Sequence, residues 1–394
     1  MKYLYSIMFV FITFLVIGQT ETNVQYDQES EKETKKEGNL MIGGYAEVHY
    51  NQPLQADERS NGDLDVHRMV LLMGYSFNAR TKFVTEIEFE HVSEVYVEQA
   101  YLQYKLNSFM NLKGGLLLIP MGVVNEDHEP TSFHGVERPF IDKYISPSTW
   151  REIGIGLSGN IIAASLKYQA YLVDGFNGYN GSALLNGKNG LRKGRQKGGE
   201  SYISSPAFTS KVEYYGLGDF RIGASAYFGN SQSTLYDGLD RNDTEAMMRA
   251  DSSVVGISMY GLDLSYQLKG LNLKGQCYLI NLSNTTAYNQ FSGANDLGSA
   301  MNGYFVEASY DVFKNVKSIS SALHPFVRYE AYDTHYKVED SIERNPGLKK
   351  QVITTGLSWY PAKGAVVKAE LQFLKSGSAD AFSTVFNAGF GVMF

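Results

Sequence analysis

Apolar and polar residues alternate at every second position along most of the chain. In the stretch KFVTEIEFE, Phe83 and Ile87 share one face, whereas Glu86 and Glu88 occupy the other. The stretches NGYFVEASYDVF and VVKAELQFL show the same separation of apolar from charged residues. Successive side chains of a strand point to opposite faces, and helical spacing would mix these groups, so the pattern predicts β-strands.

About sixteen such segments are predicted, separated by connections of two kinds. They begin near Leu40, Asp65, Arg80, Glu94, Asn111, Arg151, Ile161, Phe208, Phe220, Val254, Leu271, Gly303, Leu323, Lys349, Ala365 and Phe382. Connections after even strands are mostly tight, and several after odd strands are long, namely Met121–Trp150, Asp174–Pro206, Gly229–Ser253 and Ser283–Asn302. Short turns at one end and long loops at the other are typical of an all-β transmembrane antiparallel barrel. A secreted soluble sandwich or barrel is the competing interpretation, but it needs no such difference in loop length.

The last strand, FSTVFNAGFGVMF, carries aromatic residues on one face up to Phe394. An open sheet edge in hydrocarbon would leave N–H and C=O groups unpaired, so this strand is expected to pair with the first, around LMIGGYAEVHY. A terminal phenylalanine resembles the signal that barrel-assembly machinery reads. We therefore predict that Phe390 and Phe394 face lipid and form an assembly signal.

The N-terminal region indicates export to the outer membrane of a Gram-negative bacterium. Residues 1–18 have a basic start and an apolar run, typical of a secretory signal peptide, with a retained anchor as the alternative. Residues 19–39 are polar and predict a flexible leader, which leaves 40–394 for the barrel. The abundant aromatic residues (28 Tyr and 22 Phe) fit the interfacial girdles of such a barrel and predict contact with outer-membrane lipid.

Charge and cysteine content narrow the function classes. The net charge is −7 and no basic block stands out, which argues against a nucleic-acid partner. The one cysteine, Cys277, excludes an internal disulfide and has no obvious histidine partner. No Ser/His/Asp set lies at matched strand heights, so we predict neither an enzyme nor a cofactor. A plugged transporter of about 22 strands would not fit in this length.

The region Asp65–Gly159 resembles a known family. DVHRMVLLMGYSFNARTKFVTEIEFE is similar to the opening strands of the phosphate-selective porin O/P-like porins, and VEQAYLQYKL with LKGGLLLIPMG resembles their next two strands. ERPFIDKYISPSTWREIGIGLSGN resembles their return from the third outer loop. The resemblance implies a sixteen-stranded channel, often trimeric, narrowed by that loop. Anion-selective members carry a lysine where this chain has Leu118, which weakens the implication of phosphate selectivity.

Charged residues on the predicted lumen face are nearly balanced in sign. This balance predicts cross-strand ion pairs that stiffen the wall, rather than a ring of one sign. The candidate pore-wall residues are Arg68, Arg80, Lys82, Glu86, Glu88 and Arg328.

The loop 121–150 is expected to fold into the lumen as the third outer loop. We predict that its charged residues form the constriction, with Arg68, Arg80, Lys82 and Arg328 opposite. The candidate constriction residues are Glu129, Glu137, Arg138, Asp142 and Arg151.

The predicted function is passive diffusion of small hydrophilic solutes or ions through a water-filled barrel, with a homotrimer as a possible assembly. One alternative is a non-conducting structural or adhesion barrel. Another is a barrel with a metal site in the loop, where His128 and His134 lie near Asp127 and Glu129. Imidazole and carboxylate ligands suit zinc, but their spacing here matches no compact motif.

Overall fold

Sixteen antiparallel strands form one closed barrel in the computed structural model, which describes residues 38–54, 59–293, 296–340 and 342–394. The closed barrel confirms the predicted fold class. The predicted signal peptide (1–18) and nearly all of the predicted leader (19–39) lie outside the described residues. Within the described ranges, no helix is long and apolar enough to cross a membrane.

The barrel strands are β1 (Asn39–Leu54), β2 (Asp63–Ser76), β3 (Thr81–Glu90), β4 (Glu94–Asn107), β5 (Met110–Leu118), β6 (Arg151–Ile161), β7 (Leu166–Val173), β9 (Ala207–Leu217), β10 (Phe220–Asn230), β12 (Gly256–Leu268), β13 (Leu271–Ser283), β14 (Ala300–Tyr310), β15 (Ala322–Lys337), β16 (Lys349–Ala362), β17 (Ala365–Ser376) and β18 (Ser383–Met393). Two short strands in the long loops, β8 (Asn177–Tyr179) and β11 (Gln232–Ser233), pair in parallel. The α-helices are α1 (Ile141–Tyr144), α2 (Thr244–Ser252) and α3 (Thr285–Ser292). Single 3₁₀ turns occur at Ile162–Ala164, Arg192–Gly194, Thr234–Tyr236 and Pro346–Leu348.

The barrel closes between its first and last strands. In this seam His49 lies opposite Gly389, and Tyr45 lies opposite Met393. Phe394 and Gly44 exchange two backbone hydrogen bonds of 2.9 and 3.0 Å beyond the last paired residue of β18. The seam therefore leaves no open edge, as a sheet in hydrocarbon requires.

The predicted strand starts agree with the structure to within a few residues, except at β7. The sequence predicts a turn at Gly159–Asn160 and a strand from Ile161, but β6 continues through Ile161 and β7 begins at Leu166. The turn is a 3₁₀ turn ended by Ser165, whose backbone is left-handed with φ of 51°. Its residues are apolar, so alternation alone could not mark the turn.

The two faces of each strand meet different surroundings. On β3, Val84, Glu86 and Glu88 are buried toward the lumen, as the sequence predicts. Large apolar side chains on the other face are exposed, including Leu262, Val306 and Val367. An exposed apolar outer face and a polar inner face are what a barrel in lipid requires.

Two β-bulges interrupt the register among the first four strands, near the long-loop end. Between β1 and β2, Glu47 pairs with Arg68 and Val48 pairs with Val66, which leaves His67 as the extra residue. A second bulge between β3 and β4 leaves Glu98 as the extra residue. Bulges re-aim side chains, and both of these extra residues belong to polar clusters described below.

Candidate functional site

The segment 119–150 between β5 and β6, which we call loop 3, lies against the inner wall of the barrel. Several cationic wall side chains each donate a hydrogen bond to a carbonyl oxygen of the loop. The pairs are Arg68 Nη2 to His128 (3.3 Å), Lys211 Nζ to Gly122 (2.5 Å), Lys274 Nζ to Ser132 (2.6 Å), Lys368 Nζ to Gly135 (2.7 Å) and Arg328 Nη2 to Glu137 (3.1 Å). Hydrogen bonds from charged donors are stronger than neutral ones, so these contacts fix the course of the loop.

Wall carboxylates also hold the loop, by accepting hydrogen bonds from its backbone N–H groups. Glu370 Oε2 accepts from the backbone of Val136 at 2.9 Å, and Glu330 Oε2 accepts from Phe140 at 2.6 Å. Both carboxylates are buried, where an ionised group needs such donors. The wall thus binds loop 3 largely through backbone groups, so these contacts depend little on the side chains of the loop.

Gly122 lets the loop leave β5 close to the wall. Its φ is +68°, and a Cβ atom there would lie 1.9 Å from the hydroxyl oxygen of Tyr278. That hydroxyl lies 3.3 Å from the carbonyl oxygen of Met121. Only glycine fits both the left-handed backbone and the close approach.

Arg328 on β15 is the centre of a buried ion cluster. Its side chain is fully buried, with Nε 3.0 Å from Glu330 Oε1 and Nη1 3.3 Å from Glu307 Oε2. Glu307 is its direct cross-strand neighbour on β14. The third nitrogen, Nη2, donates to the carbonyl of Glu137, so one guanidinium links two wall carboxylates to loop 3.

Arg68 on β2 forms a second cluster of the same kind. It is in ion-pair contact with its cross-strand neighbour Glu47, and its Nη1 lies 3.7 Å from Glu88. The imidazole of His128, from loop 3, lies 3.3 Å from Glu98. Burial alone would lower the pKa of His128, but the charge of Glu98 raises it to about 10, so the imidazole is protonated at neutral pH.

Glu137 lies where loop 3 meets the first strand. Asn51 Nδ2 donates to Glu137 Oε1 at 2.9 Å, and His49 Nδ1 lies 3.4 Å from the same oxygen. Burial opposes ionisation, but these two partners lower the pKa of Glu137 to about 2. The side chain remains about one-third exposed, so an ionised carboxylate faces the lumen.

Glu129 and Arg138 are also partly exposed residues of loop 3. Burial raises the pKa of Glu129 to about 6, and the neighbouring charge of Asp127 adds to the effect while His128 opposes it. Arg138 Nη2 donates to the carbonyl of His128 at 3.2 Å, the oxygen that Arg68 also contacts. Arg68 and Arg138 therefore meet at one point of the loop.

Asp142 and Arg151 lie deeper than the constriction interpretation expects. Asp142 on α1 is buried and accepts from Gln276 Nε2 at 2.6 Å, and burial raises its pKa well above the usual range. Arg151, the first residue of β6, is buried with its guanidinium 5.7 Å from the ring centre of Tyr96. Arg151 Nη1 also donates to the carbonyl of Thr149 at 3.3 Å, so both residues contact loop or wall groups from buried positions instead of facing open lumen.

The structure places the other predicted wall residues as follows. Glu86 is buried and accepts from Gln99 Nε2 at 2.7 Å. Lys82 lies on the same face of β3, nearer the short turns. The predicted wall position of Arg80 is corrected, because it lies exposed in the turn between β2 and β3, where Asn78 Oδ1 accepts from its backbone.

The proposed loop metal ligands His128 and His134 contact different strands. His128 pairs with Glu98 of β4, whereas His134 Nε2 lies 2.7 Å from Ser309 Oγ of β14. The ring of His134 stacks on that of His324 at 4.9 Å. The structure therefore does not bring the two loop histidines together.

Apolar packing inside the barrel mouth was missed by the sequence interpretation. Trp150, at the end of loop 3, lies 4.6 Å from the ring of Phe176 and 4.9 Å from that of Tyr227. Its Nε1 donates to Glu152 at 2.8 Å. Tyr288 of α3 donates to the carbonyl of Gly178, so the loops after β7 and β13 also pack together. Long loops that look polar in sequence thus share one buried cluster.

Comparison with known proteins places this architecture. The profile of the family described as phosphate-selective porin O and P matches residues 42–385. An uncharacterized protein of Aquifex aeolicus (strain VF5) is 32% identical over 348 residues, covering 84% of this chain and 74% of that protein. The anion-selective porin from Comamonas acidovorans has a TM-score of 0.58 at 14% identity, over 91% of this chain and all of that one (100%). OmpT of Vibrio cholerae, in its trimer form, has a TM-score of 0.55 at 12% identity, over 91% and 100% of the two chains.

The closed barrel with loop 3 against its inner wall is an outer-membrane porin fold. The chain belongs to the family of phosphate-selective porins O and P. It is therefore a channel of the Gram-negative outer membrane for passive diffusion of solutes or ions, which confirms the predicted function and location. The family and the fold indicate a channel rather than an enzyme.

Proposed function

We propose that loop 3 forms the constriction of this channel and that Glu129, Glu137 and Arg138 present their charges to the passing solute. The main support is that the wall binds the loop largely through its backbone, which leaves these three side chains partly exposed. Asp142 and Arg151 hold the loop from buried positions. The solutes are then small and hydrophilic, because loop 3 narrows a lumen that sixteen strands would otherwise leave open.

Phosphate selectivity is not part of this proposal. A phosphate site needs converging positive donors, and Leu118 occupies the position where anion-selective relatives carry a lysine. The wall cations nearest to loop 3 are engaged by carboxylates or loop carbonyls, as in the Arg68 and Arg328 clusters. The exposed loop charges are of both signs, which favours weak ion preference.

The test is Arg138→Ala in a planar bilayer with a salt gradient. Removing the cation should shift the reversal potential toward cation preference, and the smaller side chain should raise conductance. Arg221→Ala is the matched control, since Arg221 lies on the lumen face of β10 away from loop 3. If conductance and reversal potential both match wild type, Arg138 does not belong to the constriction.

We further propose that the porin is a homotrimer in outer-membrane lipid. The support is the trimer form of the Vibrio cholerae relative and the apolar outer surface of the barrel. Phe390 and Phe394, which are 48% and 72% exposed on that surface, would act as the signal for barrel-assembly machinery. Mass measurement of the detergent-solubilised porin tests the trimer, and a monomeric mass would contradict it.

A further inference from the structure

Asp65, His67 and His91 meet at the long-loop end of the barrel. Asp65 and His67 belong to β2, and His91 lies in the short turn after β3. We propose that these three side chains form a binding site for a divalent transition metal of the zinc type. None of the three is among the constriction residues proposed above or the histidines of loop 3.

The side-chain geometry suits such an ion. Asp65 Oδ2 lies 2.6 Å from His91 Nδ1 and 3.4 Å from His67 Nδ1. One ligand atom from each of the three residues lies within 4.8 Å of the others. Zinc bonds of roughly 2.0–2.2 Å in a tetrahedron place ligand atoms about 3.4 Å apart. Small side-chain rotations would therefore seat the metal without moving the backbone.

The backbone supports this arrangement at some cost. His67 is the extra residue of the bulge between β1 and β2, which turns it toward Asp65. His91 and Val92 both have left-handed backbones, with φ of 50° and 67°. A valine in that region is a strong outlier, and such strain is typical of functional sites. The backbone N–H of His91 donates to the carbonyl of His67 at 3.3 Å, which fixes the turn above β2.

Neighbouring groups would orient the ligands. The ring of His67 stacks on His49 at 4.4 Å with an interplanar angle of 12°. Glu90 Oε1 lies 3.8 Å from His91 Nε2, the nitrogen that Asp65 does not contact. Carboxylates that contact the second ring nitrogen orient metal-binding histidines in many proteins. The net charge also suits a divalent cation, because neutral histidines accompany the negative charges of Asp65 and the nearby Glu90.

The site is open to metal from outside. His91 is about half exposed, and the side chains of Asp65 and His67 are partly exposed at 23% and 32%. Three protein ligands leave a fourth position of the tetrahedron open to water. The ion would bind after the barrel has folded.

The experiment uses folded, detergent-purified porin with zinc chloride as the probe. After equilibration with zinc and removal of free metal, elemental analysis should find zinc equimolar with the wild-type chain. His91→Ala and Asp65→Asn should each lose this zinc, while His324→Ala should retain it as a matched histidine control. Wild-type protein without bound zinc, or His91→Ala with undiminished zinc, would overturn the proposal.

Folding is checked on the same samples. Heat-modifiable electrophoretic mobility should be unchanged in all variants, because His91 lies in an exposed turn and Asp65→Asn preserves side-chain shape. If one variant fails to fold, the other still tests the site. A competing chelator titration should then give a weaker zinc affinity for whichever folded variant lacks a ligand.

Discussion

Arg328 offers the sharpest test of how the wall holds loop 3. Arg328→Ala removes a fully buried guanidinium and leaves Glu330 and Glu307 without their cation. It also removes the hydrogen bond to the carbonyl of Glu137. The barrel strands keep their backbone ladders, so the loss should appear chiefly in the attachment of the loop.

The size of the effect follows from the burial of the cluster. Removing one partner of a buried ion pair costs about 3–5 kcal/mol, because the remaining charge stays uncompensated. At about 1.4 kcal/mol per tenfold change, the detached state of loop 3 should become at least about 100-fold more populated. Arg328→Lys should fall between wild type and alanine, since lysine keeps the charge but loses the planar fork of donors.

Single-channel recording measures this population directly. Detachment of the loop should appear as open-channel noise and extra conductance levels in Arg328→Ala. Limited proteolysis of the same protein should cut within loop 3 faster than in wild type. Arg221→Ala is the matched control, because it removes a lumen arginine away from the loop.

Arg328 does not hold loop 3 if Arg328→Ala conducts as quietly as wild type and resists proteolysis equally well. That result would mean that the lysine contacts and Glu370 hold the loop without help from the arginine. Equal open-channel noise in Arg221→Ala would also contradict the role of Arg328, because the noise would then not depend on contact with loop 3.

Three further outcomes are expected. Glu129 should be neutral below about pH 6 and ionised above it. Cation preference, measured from reversal potentials, should therefore increase as the pH rises, with a midpoint near pH 6. This midpoint should be absent in Glu129→Gln. Gly122→Ala should lower the yield of heat-modifiable barrel, because its Cβ would collide with the Tyr278 hydroxyl; a wild-type yield would contradict that clash. Phe394→Ala should slow assembly more than Phe386→Ala, and equal rates would leave Phe394 with only a packing role.

The barrel was predictable because its solvent imposes a simple rule on every strand. Hydrocarbon outside and water inside require opposite polarity on alternate residues, and β3 follows this rule at most positions, with Val84 as an apolar residue on its inner face. The same rule misplaced the start of β7, because the turn ended by Ser165 consists of consecutive apolar residues and shows no alternation of polarity. It also misplaced Arg80, because a turn residue at a strand end has no assigned face.

The course of loop 3 could not be predicted in the same way. Most of its anchors are backbone carbonyls and N–H groups, which carry no sequence signal. The sequence around Gly135 does not predict that its carbonyl accepts a hydrogen bond from Lys368, or that the N–H of Val136 donates to Glu370. The candidate constriction residues were therefore chosen by charge alone, and the structure divides them into partly exposed and buried groups.

The wall charges contact loop 3 as well as one another. Glu47 with Arg68 and Glu307 with Arg328 are cross-strand ion pairs of the kind that the balanced charges predict. Each arginine has donors to spare, and in both cases a spare donor goes to a carbonyl of loop 3. These wall charges are thus engaged in holding loop 3 in place. We therefore expect ion preference to follow the few loop side chains that the wall leaves exposed, and not the census of wall charges.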